Sequence, residues 1–105
     1  MTIYELELKE IPNQTFTTTI NNINMNVNVR YADDDLMLFS LQVNGEYVCP
    51  DVPVFSNQMV LPYKYMAQEA GGNFIFLTEN EEYPTYQNFM KTCRLYFVTV
   101  DELYG

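Results

Sequence analysis

The side chains that could perform chemistry in this chain are carboxylates and two thiols, because the sequence contains no histidine. Histidine is the commonest general base and the commonest metal ligand, so its absence excludes Cys–His and Ser–His catalysis. Cys49 and Cys93 are isolated from each other in the sequence, and two such cysteines cannot form a structural zinc site. The clustered glycines of "AGGN" lack the lysine and the following helix of a phosphate-binding loop.

The acidic residues form two short clusters, "DDD" at 33–35 and "ENEE" at 79–82. A calcium-binding EF-hand alternates its ligands and needs a glycine and a distal glutamate, so solvated turns are favoured at both clusters. Glu5 and Glu7 could act as an acid–base pair, but they fall on the exposed side of a predicted strand. We therefore predict no catalytic residue, no metal, no cofactor and no enzymatic activity.

The bulk composition predicts one folded domain over residues 1–105, with residues 1–2 and 101–105 as frayed termini. Hydrophobic residues make up 48% of the chain, and 14 acids against 5 bases give a net charge of −9. This charge argues against nucleic-acid and anionic-membrane partners. The acidic start "MTIYELELKE" does not resemble a signal peptide, so we expect a protein of the cytoplasm in which it is made. There Cys49 and Cys93 should be reduced and buried.

Alternation with a period of two runs through most of the chain and predicts β-strands. In "NINMNVNVRY", residues 22–31, the apolar Ile23, Met25, Val27 and Val29 alternate with asparagines. Further strands are predicted at "IYELELK", "TFTTTI", "LMLFSLQV", "EYVC", "FSNQMVL", "NFIFLTE" and "CRLYFVTV". A short helix is predicted at "PYKYMAQEA", and one helical turn after Pro84.

Turn residues separate these strands. The pair at 21–22, "NN", and the Asn44-Gly45 pair suit hairpin turns with positive φ, and "ADDD" at 32–35 suits a further turn. A two-residue turn at Asn44-Gly45 would place Val43 opposite Glu46 and Leu41 opposite Val48. The return strand should stop at "PDVP", residues 50–53, because proline removes ladder donors.

Together these signals predict an all-β fold: a small antiparallel barrel or sandwich of seven to eight short strands, with at most one or two short helical turns. A closed barrel is favoured, because so short a chain has few other ways to hide its sheet edges.

The candidate contact residues are polar and aromatic. Asparagine is depleted in strands, yet it offers uncharged donors and acceptors that suit a protein interface. Tyrosine is favoured at interfaces. The predicted interface residues are therefore one outward strand face and the tyrosines of the loops: Asn24, Asn26, Asn28, Arg30, Tyr63, Tyr65, Tyr83 and Tyr86.

Several motifs together resemble a known family. They are "IPNQTFTTTI", the "NG" hairpin, "VLPYKY" ahead of "GGNFIFL", and the closing "YPTYQNF" followed by "CRLYFV". In order and spacing, from about Ile11 to Val100, they resemble the baseplate plug proteins of contractile-tailed, cyanophage-type bacteriophages. The chain differs from that pattern in being richer in asparagine and acids.

The resemblance implies a structural virion component of the tail baseplate, made in the host bacterial cytoplasm. Such a protein would plug or seal the central hub and tail channel near the spike. Its implied partners are the hub and spike proteins, with self-association, if any, set by the hub symmetry. No catalytic residue comes with the family. The alternative is a free-standing β-barrel binding module for a carbohydrate or protein ligand, suggested by the tyrosine-rich loops.

Overall fold

The computed structural model describes residues 3–32, 36–79 and 82–99. The described residues form seven strands, one α-helix and one 3-10 turn at Tyr86–Asn88. In chain order the other elements are β1 Ile3–Leu6, β2 Asn13–Ile20, β3 Ile23–Tyr31, β4 Met37–Val43, β5 Glu46–Pro53, α1 Lys64–Ala70, β6 Gly72–Thr78 and β7 Cys93–Thr99.

The strands form two antiparallel sheets, which confirms the all-β class and the sandwich. One sheet has the order β2-β3-β4-β5, and the other has the order β1-β7-β6. The closed barrel that the sequence favoured is wrong, because the chain protects its sheet edges by other means. β1 is only four residues long, β5 carries Pro50 and Pro53, and the segment 57–60 lies along β6.

Two-residue turns join β2 to β3 and β4 to β5 at the predicted positions. Asn21 and Asn22 have φ of 53° and 66°, while Asn44 and Gly45 have φ of 51° and 87°, as type I′ turns require. Val43 lies opposite Glu46, as expected, but Leu41 lies opposite Cys49 and not Val48. Two irregularities in the β4–β5 pair, between Gln42 and Leu41 and between Leu41 and Phe39, each add one residue to β5 and shift the register beyond the turn.

The prolines do not end β5, which runs to Pro53. The prediction that this strand stops at residue 50 is wrong because β5 is an edge strand, where a missing backbone donor is tolerated. The segment "FSNQMVL" is likewise not a full strand. It makes one bridge, Met59 to Ile75, and backbone hydrogen bonds from Asn57 N to Phe76 O and from Val60 N to Phe74 O, both 2.8 Å.

The core lies between the sheets and is built from the inward side chains that the alternation predicted. Its centre is aromatic: ring centroids of Phe39 and Phe74, and of Phe74 and Phe97, are 5.0 Å apart. Cys49 and Cys93 are both buried and free of disulfides, which confirms their prediction as small core residues. Residues 33–35 of the segment predicted to form a turn, and the termini 1–2 and 101–105, lie outside the described residues.

Candidate interaction surfaces

The two thiols of the chain are buried, and their surroundings decide their reactivity. No group of three or more potential metal ligands lies together in residues 3–32, 36–79 and 82–99. Burial raises the pKa of Cys93 to about 12, with a further contribution from the charge of Glu82. Burial, followed by the charge of Asp51, also raises the pKa of Cys49. Both thiols therefore stay protonated at neutral pH and are poor nucleophiles.

Two of the acids singled out in the sequence, Glu5 and Glu82, make structural contacts. Glu5 accepts a hydrogen bond from Arg94 at 2.9 Å across the β1–β7 pair. Glu82 accepts hydrogen bonds from Asn88 Nδ2 at 2.9 Å and from Thr92 Oγ1 at 3.0 Å, which tie together the loop before β7. These contacts give the two glutamates structural roles in the sheet and the loop.

Two grooves mark the described surface, and each contains a single carboxylate among its lining residues. A groove of about 340 Å³ runs from Glu7 to Phe16 beside β2. A second, of about 190 Å³, lies at the end of β6 and β7 and includes Glu79 and Tyr96.

The asparagine stripe lies on the outward side of β3, as its alternation predicted. Met25, Val27 and Val29 are completely buried on the opposite side. In register, the stripe has the threonines of β2 on one side and Ser40 and Gln42 of β4 on the other. We name this outward surface of the larger sheet the polar face, consisting of Thr15, Thr17, Thr19, Asn24, Asn26, Asn28, Arg30, Ser40 and Gln42.

Hydrogen bonds fix part of the polar face. Asn28 Nδ2 donates to Thr15 Oγ1 at 2.9 Å. Arg30 forms an ion pair with Asp51 of β5, and the hydrogen bond and charge of Asp51 raise the pKa of Arg30. Asn26 Oδ1 is shielded from solvent and has no hydrogen-bond partner among the described residues. An orphaned acceptor of this kind destabilises a fold by about 1–3 kcal/mol.

The structure places the predicted interface tyrosines in distinct settings. Tyr63 and Tyr65 stand at the start of α1 with their rings stacked, centroids 5.9 Å apart and planes 13° from parallel. Tyr86 is half-buried and meets Tyr31 edge-on at 5.8 Å. Tyr83 is well exposed. Only the Tyr63–Tyr65 pair therefore forms an open aromatic surface built from two of the predicted residues.

The sequence analysis did not predict a second surface, which lies on the outward side of the smaller sheet. The outward positions of the smaller sheet carry apolar side chains, and the bridge of Met59 to Ile75 adds one more to the same side. Ile3 is 45% exposed, and Met59 and Leu77 are each 43% exposed. We name this surface the apolar face, consisting of Ile3, Met59, Ile75, Leu77, Tyr96 and Val98. The continuous apolar runs "FIFL" and "LYFV" are its sequence signal, because a strand with one solvated side should alternate.

Paired side-chain hydrogen bonds to the backbone, buried at Asn73 and exposed at Gln14, explain two of the motifs. Asn73 Oδ1 accepts from Leu61 N at 2.9 Å, and Asn73 Nδ2 donates to Leu61 O at 3.0 Å; this ties "VLPYKY" to "GGNFIFL". In "IPNQ", Gln14 accepts from Lys9 N at 3.0 Å and donates to Lys9 O at 2.8 Å. Sequence reasoning assigned neither side chain a role, because both bonds depend on backbone groups five or more residues away.

Fold and surfaces together define a small antiparallel β-sandwich with two chemically different outer faces. The family model described as "Cyanophage baseplate Pam3 plug gp18" matches residues 1–101. The chain therefore belongs to this family of phage tail baseplate plugs, as its motifs suggested, and is a structural virion component of the tail. No curated protein matches the chain. Within the described residues no helix is long and apolar enough to cross a membrane.

Proposed function

We propose that this chain seals the central hub and tail channel near the spike through contacts with the hub and spike proteins. The match to the baseplate plug family over residues 1–101 carries this proposal. The net charge of −9 supports it, because such a surface repels DNA instead of binding it. The action is mechanical, and no bond is made or broken.

The dimensions of the sandwich suit an obstruction. The described backbone extends 32 × 27 × 22 Å, so one copy blocks a channel narrower than its smallest dimension. The closely packed aromatic core resists deformation, because interiors packed at crystal-like density have low compressibility. Opening the channel would then require the whole domain to dissociate from its partners, and the strength of its contacts sets how readily it dissociates.

Polar contacts to the hub and spike would come from the asparagine stripe and the tyrosines. The amides of Asn24, Asn26 and Asn28 are uncharged, so covering them with a partner avoids the cost of burying a charge. Tyr63 and Tyr65, with Tyr83 and Tyr86 of the later loop, would add aromatic contact area.

The test is complementation of a phage that lacks this gene with a tagged copy of the chain. We expect the wild-type chain in purified virions, and in a complex with the hub and spike proteins after co-expression. Absence from mature virions, or failure to co-purify with either protein, would refute the proposal. The double variant Asn26→Lys/Asn28→Lys should fold and be incorporated less. Incorporation equal to wild type would indicate that the asparagine stripe faces solvent and contacts neither the hub nor the spike.

A binding module is the second candidate function, favoured by one observation. The stacked, open Tyr63–Tyr65 pair offers aromatic surface to a carbohydrate or peptide ligand. Glycan-array binding by the isolated chain, lost in Tyr63→Ala and Tyr65→Ala, would support this candidate. The plug proposal predicts no such binding.

A further inference from the structure

The two outer faces of the sandwich differ in chemistry although both have the same geometry. A sheet with one solvated side normally alternates apolar inward with polar outward residues, and β2 and β3 do so. β6 and β7 do not: Phe74, Phe76, Leu95 and Phe97 point inward, while Ile75, Leu77, Tyr96 and Val98 occupy the outward positions. Contiguous exposed apolar surface of this kind marks a contact site more often than a solvated face.

The apolar face is also electrically neutral. Glu5 and Arg94 are the charged side chains at its outward positions, and they pair with each other at 2.9 Å. The chain as a whole has a net charge of −9. A partner that covers this face therefore needs no basic surface at the contact. A charged group of the partner would lose its hydration there and would find no unpaired opposite charge on the face.

The size of the face limits what can cover it. Four chain segments spaced about 4.8 Å apart, each about five residues of about 3.3 Å, give a face of about 300 Å². A stable interface buries about 800 Å² on each partner. A second copy seated face to face would stay well below that, so the occupant must reach beyond the face onto neighbouring surface. The groove at the end of β6 and the start of β7 contains Leu77 and Tyr96 together with the charged Glu79, Lys91 and Arg94, and it offers such a continuation.

We infer that the apolar face is the main docking surface of this protein in the baseplate, and that its occupant is a different, larger baseplate chain with an uncharged, apolar contact surface. The inference deepens the proposed function and rests on its claim of contact with another baseplate protein. It assigns the larger share of the contact to the side of the molecule opposite the asparagine stripe.

The experiment compares tagged variants in virions assembled by complementation. Met59→Lys/Leu77→Lys places two charges on exposed positions of the apolar face. Gln68→Lys/Gln87→Lys adds the same two charges at exposed positions outside both faces. We expect at least about a tenfold loss of incorporation for the first variant, as for a contact hot spot, and wild-type incorporation for the second. Met59→Thr/Leu77→Thr removes apolar surface without charge and should also lose incorporation.

The outcomes separate this inference from the proposed function. Wild-type chain missing from virions would refute the proposed function. If the wild-type chain and Met59→Lys/Leu77→Lys are incorporated equally, only the inference is refuted. The inference is also refuted if the Gln68→Lys/Gln87→Lys control loses incorporation as strongly as Met59→Lys/Leu77→Lys. Sedimentation of the isolated chain should show a monomer. A dimer that Met59→Lys/Leu77→Lys dissociates would instead assign the face to a second copy. Melting curves of the isolated variants establish that each one folds.

Discussion

Asn73 of β6 binds the backbone of Leu61 in the segment before α1. We predict that Asn73→Ala strongly destabilises the sandwich. The side chain is 2% exposed. Its amide exchanges two hydrogen bonds with the backbone of Leu61, at 2.9 and 3.0 Å, and Oδ1 also accepts from Phe74 N at 2.7 Å. Alanine removes all three bonds and leaves the Leu61 N–H and C=O without these partners.

The magnitude follows from the burial of Leu61, which is 3% exposed. Water cannot readily replace the lost partners there, and each buried unsatisfied group costs about 1–3 kcal/mol. The two Leu61 groups alone lower the free energy of unfolding by about 2–6 kcal/mol. A domain of this size is stable by only about 5–15 kcal/mol, so the midpoint of thermal unfolding should fall by at least about 10 °C.

The assay is urea and thermal unfolding of Asn73→Ala beside a matched control, Asn13→Ala. Asn13 Oδ1 also accepts a backbone hydrogen bond, from Tyr31 N at 3.1 Å, but Asn13 is exposed. Water can replace that bond, so we expect a loss below about 1 kcal/mol. Equal losses in the two variants, or less than about 1 kcal/mol for Asn73→Ala, would refute the reasoning from burial.

Three further predictions concern stability and reactivity. Asn26→Thr should raise the free energy of unfolding by about 0.5–1 kcal/mol, because it removes an orphaned acceptor and favours a strand; a loss in urea unfolding would show that the amide has a partner. Gly72→Ala should lower it by about 2–3 kcal/mol, since the new Cβ would overlap the Val98 carbonyl oxygen and lie 2.6 Å from the Phe97 ring; an unchanged melting curve would contradict this. Cys93, with its pKa raised to about 12 from 9.0, should resist a disulfide reagent at pH 8 until the chain is unfolded. The pKa of Cys93 is higher in the folded state than in the unfolded state, so the contribution of this thiol to stability is present below pH 9 and is lost as the pH rises towards 12. The difference in free energy of unfolding between the wild-type chain and Cys93→Ala measures this contribution. A difference that does not change with pH would contradict the prediction.

Local patterns were enough to predict most of the strands and their turns. The alternation in β3 identified both its buried and its outward residues, and the Asn-Gly pair identified a hairpin turn and its first residue pair. These features depend on neighbours within a few residues, because strand side chains alternate sides and positive φ selects asparagine and glycine.

Features set by distant parts of the chain could not be predicted in the same way. The irregularities on either side of Leu41 depend on how β4 and β5 pack, and the choice of sandwich over barrel depends on what covers each edge. The paired hydrogen bonds of Asn73 join residues twelve positions apart. The apolar face was missed for a different reason: the apolar runs in β6 and β7 were predicted only as strands, and their outward residues were not considered as a contact surface, although inward and outward residues cannot both lie in the core of a two-layer fold.

The most direct test of the central claim is a cryo-EM reconstruction of the baseplate before contraction. We predict density for this two-sheet sandwich on the tail axis within the central hub near the spike, closing the channel, with the apolar face covered by a neighbouring chain. An open axial channel, or the sandwich bound only at the periphery of the baseplate, would contradict the proposed sealing role.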